Sequence, residues 1–233
     1  YISITRLFLA ITAFSFALYM IPGLWGAPLK RISAFVPPMG TQDFTLSSVG
    51  ATSFSHSRGD TGQLPPPQKY YDRMKMYEPD VVVKYGMITY FDYKEALEVA
   101  RKLKRPLMLD FTGVNCVNCR EMEGKVWSDP EVMKRLKENF VIASLYVDIH
   151  SVYIPKEEQY YSEALQKTIK TLGEKNTDLQ VSVYNANTQP YYFFLDANEK
   201  RLRPEGYGYD SDVQKFKNML DEVVKKYKES NPS

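Results

Sequence analysis

The chain opens with a long apolar run that predicts a membrane-spanning helix. No charged residue occurs from Leu7 to Leu29, and the stretch LFLAITAFSFALYMIPGLW covers 19 residues, close to the ~20 that a transmembrane helix needs. Arg6 precedes the run and Lys30 follows it, as at two membrane interfaces. We therefore predict a transmembrane helix within residues 1–30. A signal-peptide core and a buried helix of a soluble domain are the competing interpretations.

A stretch of different character follows the apolar run. Residues 37–76 contain PPMGTQ, TLSSVGATSFSHSRGDTGQ and LPPPQ, which are rich in Pro, Gly, Ser and Thr and lack apolar periodicity. Such a composition is typical of an extended connection without a packed core. The pattern predicts a flexible linker over residues 31–78 and a folded domain over residues 79–233.

Apolar segments of two types alternate along the predicted domain. Asp92 is suited to cap a helix with apolar residues at helical spacing, and Ser128 to cap another, with Glu131 reaching back to it. The predicted strands are 81–83, 87–90, 107–111, 140–147 and 191–195, and the later predicted helices are 128–139, 159–171 and 211–227. This alternation predicts an α/β fold.

Composition and charge narrow the range of partners. Thirty Lys and Arg against 28 Asp and Glu leave a formal charge of +2, and no segment concentrates basic residues among aromatics, so we expect no nucleic-acid partner.

The first residue is Tyr1 rather than Met, and we interpret it as a cut or processed end of a longer protein. Lys30 and Arg31 outnumber Arg6, and this imbalance alone would place the domain in the cytoplasm.

The chain has two cysteines, three positions apart in the run NCVNCR. They follow a predicted buried strand, which places Cys116 at a helix N-terminus and Cys119 one turn further on the same face. Backbone N–H groups and the helix dipole favour a thiolate there, so Cys116 is the expected nucleophile and Cys119 the thiol that resolves a mixed disulfide. Two alternatives remain: half a zinc site, to which only His56 and His150 could add imidazoles, and two buried thiols without function.

Two acidic residues near the cysteines are candidates for proton transfer. Asp110 lies near the end of the predicted strand 107–111, and Glu123 follows Cys119 by one helical turn. We predict that Asp110 is buried and that burial raises its pKa, which would let it exchange a proton with Cys119. A structural salt bridge is the alternative for Asp110, and a solvated helix face is the alternative for Glu123.

The segment around the cysteines resembles a known family. LDFTGVNCVNC followed by REMEGKVWSDPEV is similar to the C-terminal thioredoxin-like domain of the DsbD-type thiol:disulfide interchange proteins, and YMIPGLWGAPLKRISAFVPP is similar to the end of that family's last transmembrane helix. The resemblance implies a thioredoxin-like fold, with a central mixed sheet flanked by helices. It implies that Cys116 and Cys119 are the redox pair, that Asp110 and Glu123 are the acidic residues beside it, and that Pro190 is a cis-proline.

The same resemblance implies a place for the domain in the cell. Electrons from a cytoplasmic thioredoxin would cross the bacterial inner membrane through an upstream transmembrane redox domain and reach this domain in the periplasm. They would then pass to periplasmic thiol-disulfide proteins. The N-terminal helix would contact the membrane, and no cofactor is implied besides the redox-active disulfide.

Residues around the cysteine pair are candidates for contacts with a protein substrate. Val117 and Asn118 stand where thioredoxin has Gly-Pro, so the redox potential of thioredoxin cannot be transferred to this chain. We predict a cis bond between Gln189 and Pro190, because it would turn the Gln189 backbone toward Cys116, where it can hydrogen-bond an extended substrate.

Three functions fit these residues. The leading hypothesis is a reductase relay, in which a membrane domain keeps the cysteines reduced and they in turn reduce other proteins outside the cytoplasm. The alternative is a non-catalytic binding module with a structural disulfide, in which residues 149–188 contact a partner. A net oxidase or isomerase would use the same cysteines and differ only in redox potential.

Overall fold

The computed structural model describes residues 3–21 and 64–230, which belong to two compact units, 1–59 and 60–233. The first unit contains helix α1 (Ile4–Met20), whose N-cap Ser3 accepts a hydrogen bond from the N–H of Arg6. Among the residues that the structure describes, none of the helices has both the length and the apolar character needed to span a bilayer. The predicted span continues to Leu29, and its second part lies outside the described residues.

The second unit is built on a four-stranded mixed sheet. Its strands, in the spatial order β1-β3-β2-β6, are β1 (Thr89–Tyr90), β2 (Leu107–Thr112), β3 (Val141–Tyr146) and β6 (Tyr191–Leu195). β3 runs parallel to both β1 and β2, whereas β6 runs antiparallel to β2. A separate antiparallel hairpin consists of β4 (Tyr160–Ser162) and β5 (Lys167–Ile169). The mixed sheet confirms the predicted α/β class.

Helices cover both faces of this sheet. They are α2 (Tyr71–Met74), α3 (Asp80–Lys84), α4 (Tyr93–Leu103), α5 (Val117–Met122), α6 (Pro130–Asn139), α7 (Leu172–Ser182) and α8 (Val213–Ser230). A π-helical turn, Glu123–Trp127, continues α5, and 3₁₀ turns occur at Lys75–Tyr77 and Lys156–Glu158. Asp92 caps α4 by accepting the N–H of Glu95, as predicted.

Side chains of the central strand β2 alternate between two apolar layers. Leu107, Leu109 and Phe111 pack with apolar residues of α4 in one layer. Met108 packs in the opposite layer, with apolar residues of α6 and α8. Successive side chains of a strand point to opposite faces, so Asp110 lies on the side of Met108, within the layer of α6 and α8.

The segment before β1 belongs to the folded domain. Tyr70 and Met74 are buried in a third apolar cluster together with Phe91 of the following segment. The linker predicted over residues 31–78 is therefore too long at its C-terminal end, because the chain packs onto the domain from position 64 onward. The earlier part of that linker lies outside the described residues.

Two predicted elements have a different secondary structure. The predicted strand 81–83 is helix α3, in which Val81 and Val82 are buried against the α6 layer, so tertiary packing overrides the strand preference of three consecutive valines. The predicted helix 159–171 is the β4–β5 hairpin. Gln166 adopts a left-handed conformation (φ 52°) in its turn, which a helix cannot contain.

Two helix starts also differ from the prediction. Helix α6 is capped by Asp129 rather than Ser128, because the Asp129 carboxylate accepts the N–H groups of Glu131 and Val132. The helix in this part of the chain is α7, which follows the hairpin. It begins after Thr171, where Thr171 and Glu174 form a reciprocal capping box.

Candidate active site

Cys116 and Cys119 form a disulfide at the start of α5, with 5.2 Å between their Cα atoms. Cys116 is the N-cap residue, and its Sγ accepts a hydrogen bond from the N–H of Cys119 at 3.2 Å. Cys116 is partly exposed, whereas Cys119 is 1% exposed. The structure therefore places both residues where the spacing predicts them, and Cys116 is the more exposed residue of the pair.

The two residues between the cysteines lie at the surface. Val117 is 54% exposed and Asn118 is also exposed, at the first two positions of α5. An exposed valine beside a reachable sulfur offers apolar contact area to a docked polypeptide. The structure brings these predicted contact residues together with Cys116 on one surface.

The predicted cis bond between Gln189 and Pro190 is confirmed. Because β6 begins at Tyr191, opposite Phe111 near the end of β2, Pro190 lies at the end of the sheet from which the cysteine loop leaves. The side-chain amide of Gln189 donates to Oε1 of Gln180 at 3.0 Å, and Gln180 Nε2 donates to the carbonyl of Thr188 at 2.8 Å.

Gln180 is a residue that the sequence analysis missed. It lies on α7 and is 1% exposed, and its amide holds the segment that contains the cis bond. A glutamine in a polar stretch carries no signal for burial, since most glutamines are exposed. Its role depends on α7 packing beside residues 188–190, which only the tertiary structure shows.

The loop between β2 and α5 is held by Asp148, which the sequence analysis also missed. The two carboxylate oxygens of Asp148 accept the N–H groups of Val114 at 2.9 Å and Asn115 at 3.1 Å. Gly113 allows this close approach, because a Cβ there would lie 3.0 Å from Oδ2 of Asp148. The available signal was position, since Asp148 comes just after β3, and β3 is parallel to β2. Hydrogen bonds of this charged kind fix the backbone that leads to Cys116.

Asp110 is buried in the layer beneath the sheet, as predicted. It is 3% exposed, and burial raises its pKa to about 7, while the positive charge of Arg120 opposes that rise. A carboxyl with a pKa near neutrality can accept or donate a proton under physiological conditions. Its burial and the direction of its pKa change agree with the prediction, whereas its part in exchange remains a proposal.

Glu123 is buried as well, so the alternative of a solvated helix face is wrong. It is 6% exposed, and one carboxylate oxygen accepts a hydrogen bond from Nη2 of Arg120 at 2.8 Å. Burial raises its pKa against the opposing charge of Arg120, and the carboxyl groups of Asp110 and Asp80 contribute to the rise. The two predicted acidic residues thus interact with the same cation.

Arg120, the residue after Cys119, was not singled out from the sequence. Its side chain is 18% exposed, and Nη2 also lies 3.4 Å from Oγ1 of Thr112 and 3.4 Å from the carbonyl of Gly113. The guanidinium therefore connects the end of β2 with α5. An arginine that follows a surface motif on a short helix is usually solvated, which explains why the sequence offered no signal for its burial.

The zinc alternative would need ligands beside the two cysteines. Within residues 3–21 and 64–230, no group of three or more His, Cys, Asp or Glu side chains is arranged to hold a metal ion. His150 is exposed, and His56 lies outside the described residues. The sulfurs of Cys116 and Cys119 are bonded to each other.

Comparisons with known proteins give one family match and several similar solved structures. A family model described as a thioredoxin-like domain matches residues 93–224. Among solved structures, the chain is similar to a DsbH oxidoreductase (17% identity, 76% of this chain and 98% of that chain, TM-score 0.44). It is also similar to the oxidised DsbD C-terminal domain of Neisseria meningitidis (18% identity, 58% and 98%, TM-score 0.40) and to a thioredoxin from Thermus thermophilus (23% identity, 61% and 92%, TM-score 0.43). A search of curated proteins found no match.

Proposed function

The chain belongs to the family of thioredoxin-like domains, and we propose that it acts as a protein-disulfide reductase through Cys116 and Cys119. One observation carries the proposal: a partly exposed cysteine caps a helix and is bonded to a buried cysteine one turn away. This arrangement exposes one sulfur to a partner and protects the other, as sequential attack and resolution require.

The proposed reaction transfers two electrons from the cysteine pair to a partner disulfide. The Cys116 thiolate attacks one partner sulfur, the partner's S–S bond breaks, and the departing thiolate takes up a proton. Cys119 then loses its proton and attacks Sγ of Cys116, which releases the partner sulfur that Cys116 had attacked as a thiolate, and this thiolate takes up a proton in turn. The partner leaves as a dithiol, and the domain is left with the disulfide that the structure contains.

The proposal extends to the source and destination of the electrons. We place the domain in the periplasm, tethered to the bacterial inner membrane by the N-terminal helix. A dithiol of an upstream transmembrane redox domain would reduce Cys116–Cys119 again, and periplasmic thiol-disulfide proteins would receive the electrons. This part rests on the similarity of the segments LDFTGVNCVNC and YMIPGLWGAPLKRISAFVPP to DsbD-type proteins.

A redox equilibrium separates the reductase from a binding module with a structural disulfide. The full chain would be equilibrated with glutathione at fixed ratios, and alkylated thiols would be counted by mass spectrometry. An exchanging pair should titrate within about −120 to −270 mV, and a reductase toward the lower end. A pair that stays oxidised below about −300 mV would identify a structural disulfide and contradict the proposal.

Trapping tests the order of attack. Cys119→Ser should accumulate a covalent complex between Cys116 and its partner, because attack proceeds but the resolving thiol is missing. Cys116→Ser is the matched control and should trap little, since Cys119 is buried. Acid quenching, non-reducing electrophoresis and mass spectrometry would detect and identify the complexes. Equal trapping by both variants would contradict the assignment of Cys116 as the nucleophile.

A further inference from the structure

The residue that follows the resolving cysteine carries a mostly buried cation. Arg120 follows Cys119 in the chain, and its guanidinium donates to Glu123 at 2.8 Å. Its Nη2 also lies 3.4 Å from Oγ1 of Thr112, which is on the same face of β2 as the buried Asp110. Arg120 Nε has no hydrogen-bond partner among the described residues. A surface function in substrate binding would leave this group solvated, whereas its side chain is mostly buried.

The charges in this cluster do not balance when both carboxyls are ionised. Two carboxylates and one guanidinium leave one net negative charge, which burial makes costly. Binding of one proton by Asp110 or Glu123 makes the cluster neutral. Two carboxyls that share a buried site titrate as a pair, so this proton belongs to both.

Other ionisable groups facing the cluster do not remove this imbalance. Asp80 of α3 is an acidic group near Arg120 and Glu123, but it is exposed, so solvent screens its charge and it does not enter this count. Tyr146 of β3 and Tyr192 of β6 face it with neutral hydroxyls, because burial raises the pKa of each well above its usual range. Arg120 is thus the cation that electrostatically connects Asp110 with Glu123.

We propose that Arg120 is a positioning residue, which holds Asp110 and Glu123 as a pair that carries one shared proton and accepts a second from Cys119. The inference rests on the proposed disulfide exchange. When Cys119 attacks Sγ of Cys116, its thiol proton moves to the singly protonated pair. The departing partner thiolate or solvent then takes a proton from the pair, which returns the cluster to its starting charge.

The test replaces the cation and follows the resolving step as a function of pH. The reduced full chain would react in a single turnover with oxidised glutathione, and quenched samples would be analysed by mass spectrometry for the Cys116–glutathione mixed disulfide and for the Cys116–Cys119 disulfide. In Arg120→Met the pair loses its cation and keeps both protons to a higher pH. The midpoint of the resolving rate should therefore move up by about 1–3 pH units. Arg120→Lys keeps the charge and should shift the midpoint less.

Arg135→Met is a matched control, because Arg135 also contacts two carboxylates, those of Glu131 and Asp221, but on the surface of α6 and α8. It should leave the midpoint unchanged. Carboxyl titration of the oxidised proteins by infrared spectroscopy gives a second readout that needs no disulfide exchange. Arg120→Met should raise the pH midpoint at which the buried carboxyl groups ionise.

The outcomes distinguish this inference from the function on which it rests. A wild-type chain that does not exchange with glutathione would overturn both. Exchange in the wild type with the same midpoint and the same carboxyl titration in Arg120→Met would overturn the role of Arg120 alone. If Arg120→Met does not fold, Arg120→Gln, which also removes the charge, decides through its carboxyl titration: the inference predicts a higher midpoint, whereas a purely structural role predicts no shift.

Discussion

Replacement of Asp110 by Asn should change how the stability of the domain depends on pH. Asp110 is 3% exposed, and burial raises its pKa from 3.8 to about 7. The folded protein therefore binds this proton more tightly than the unfolded chain does. The stabilisation is complete below about pH 4 and is lost as the pH rises to about 7.

The structure sets the size of the effect. A pKa difference of about 3, at about 1.4 kcal/mol per pH unit, corresponds to about 4 kcal/mol between acid and neutral conditions. Asp110→Asn keeps the shape of the side chain and cannot ionise. We expect the free energy of unfolding of the variant to exceed that of the wild type by up to about 4 kcal/mol at pH 8. Near pH 4 Asp110 is protonated in the folded protein, so this difference between the two proteins should disappear.

Urea unfolding of the oxidised proteins from pH 4 to 8.5 would measure this difference without a contribution from free thiols. Asp178→Asn is a control of opposite sign: burial opposes ionisation there, but hydrogen bonds from Ser162, Tyr160 and Ser182 lower the pKa of Asp178 overall. That variant should lose stability at neutral pH. Parallel pH profiles for wild type and Asp110→Asn would refute the argument that burial raises the pKa of Asp110. In the reduced protein, Asp110→Asn should also slow exchange near pH 7.

Three further predictions concern the surroundings of the cysteines. Asp148→Ala should destabilise the domain by about 1.5–3 kcal/mol in urea unfolding and slow exchange, because the N–H groups of Val114 and Asn115 lose a charged acceptor; unchanged stability would show that water replaces the carboxylate. Gln180→Ala should accelerate hydrogen exchange at residues 188–190 and weaken substrate binding, and equal exchange protection would contradict its anchoring role. Gly206→Ala should cost about 1–3 kcal/mol, because a Cβ would lie 2.3 Å from the ring of Tyr191. Gly124→Ala, where nothing lies within 4 Å, should leave the unfolding temperature unchanged or higher.

The α4 region and the cysteine motif show how much a local pattern predicts. The cap at Asp92, the buried strand before the cysteines and the helix that starts at Cys116 follow from residues close together in the chain. The 159–171 segment was interpreted wrongly, because short apolar runs in polar surroundings do not distinguish a helix from a hairpin. The three valines 81–83 favour a strand, but burial of Val81 and Val82 against α6 decides the conformation of this segment.

The sequence by itself determined which two residues form the cysteine pair and that Cys116 begins the helix. Spacing and the preceding apolar run suffice, because a helix N-terminus is a local feature and residues three positions apart lie on the same face of a helix. It also pointed to Asp110 and Glu123 as acidic neighbours and predicted the burial of Asp110, whereas for Glu123 it left a solvated helix face as the alternative.

Only the tertiary structure decided which polar groups contact one another around the cysteine pair. Three polar residues contact the chain around the cysteines in ways that the sequence pattern does not predict: Arg120, Asp148 and Gln180. Their contacts depend on elements that are distant in sequence or on burial that is not visible in the spacing of apolar residues. The physical reason is that hydrogen bonds and ion pairs of buried polar groups depend on which elements pack together. A buried polar group without a hydrogen-bond partner destabilises the fold, so each such group is paired with whichever polar group lies near it in the folded domain, whether or not the two are close in sequence.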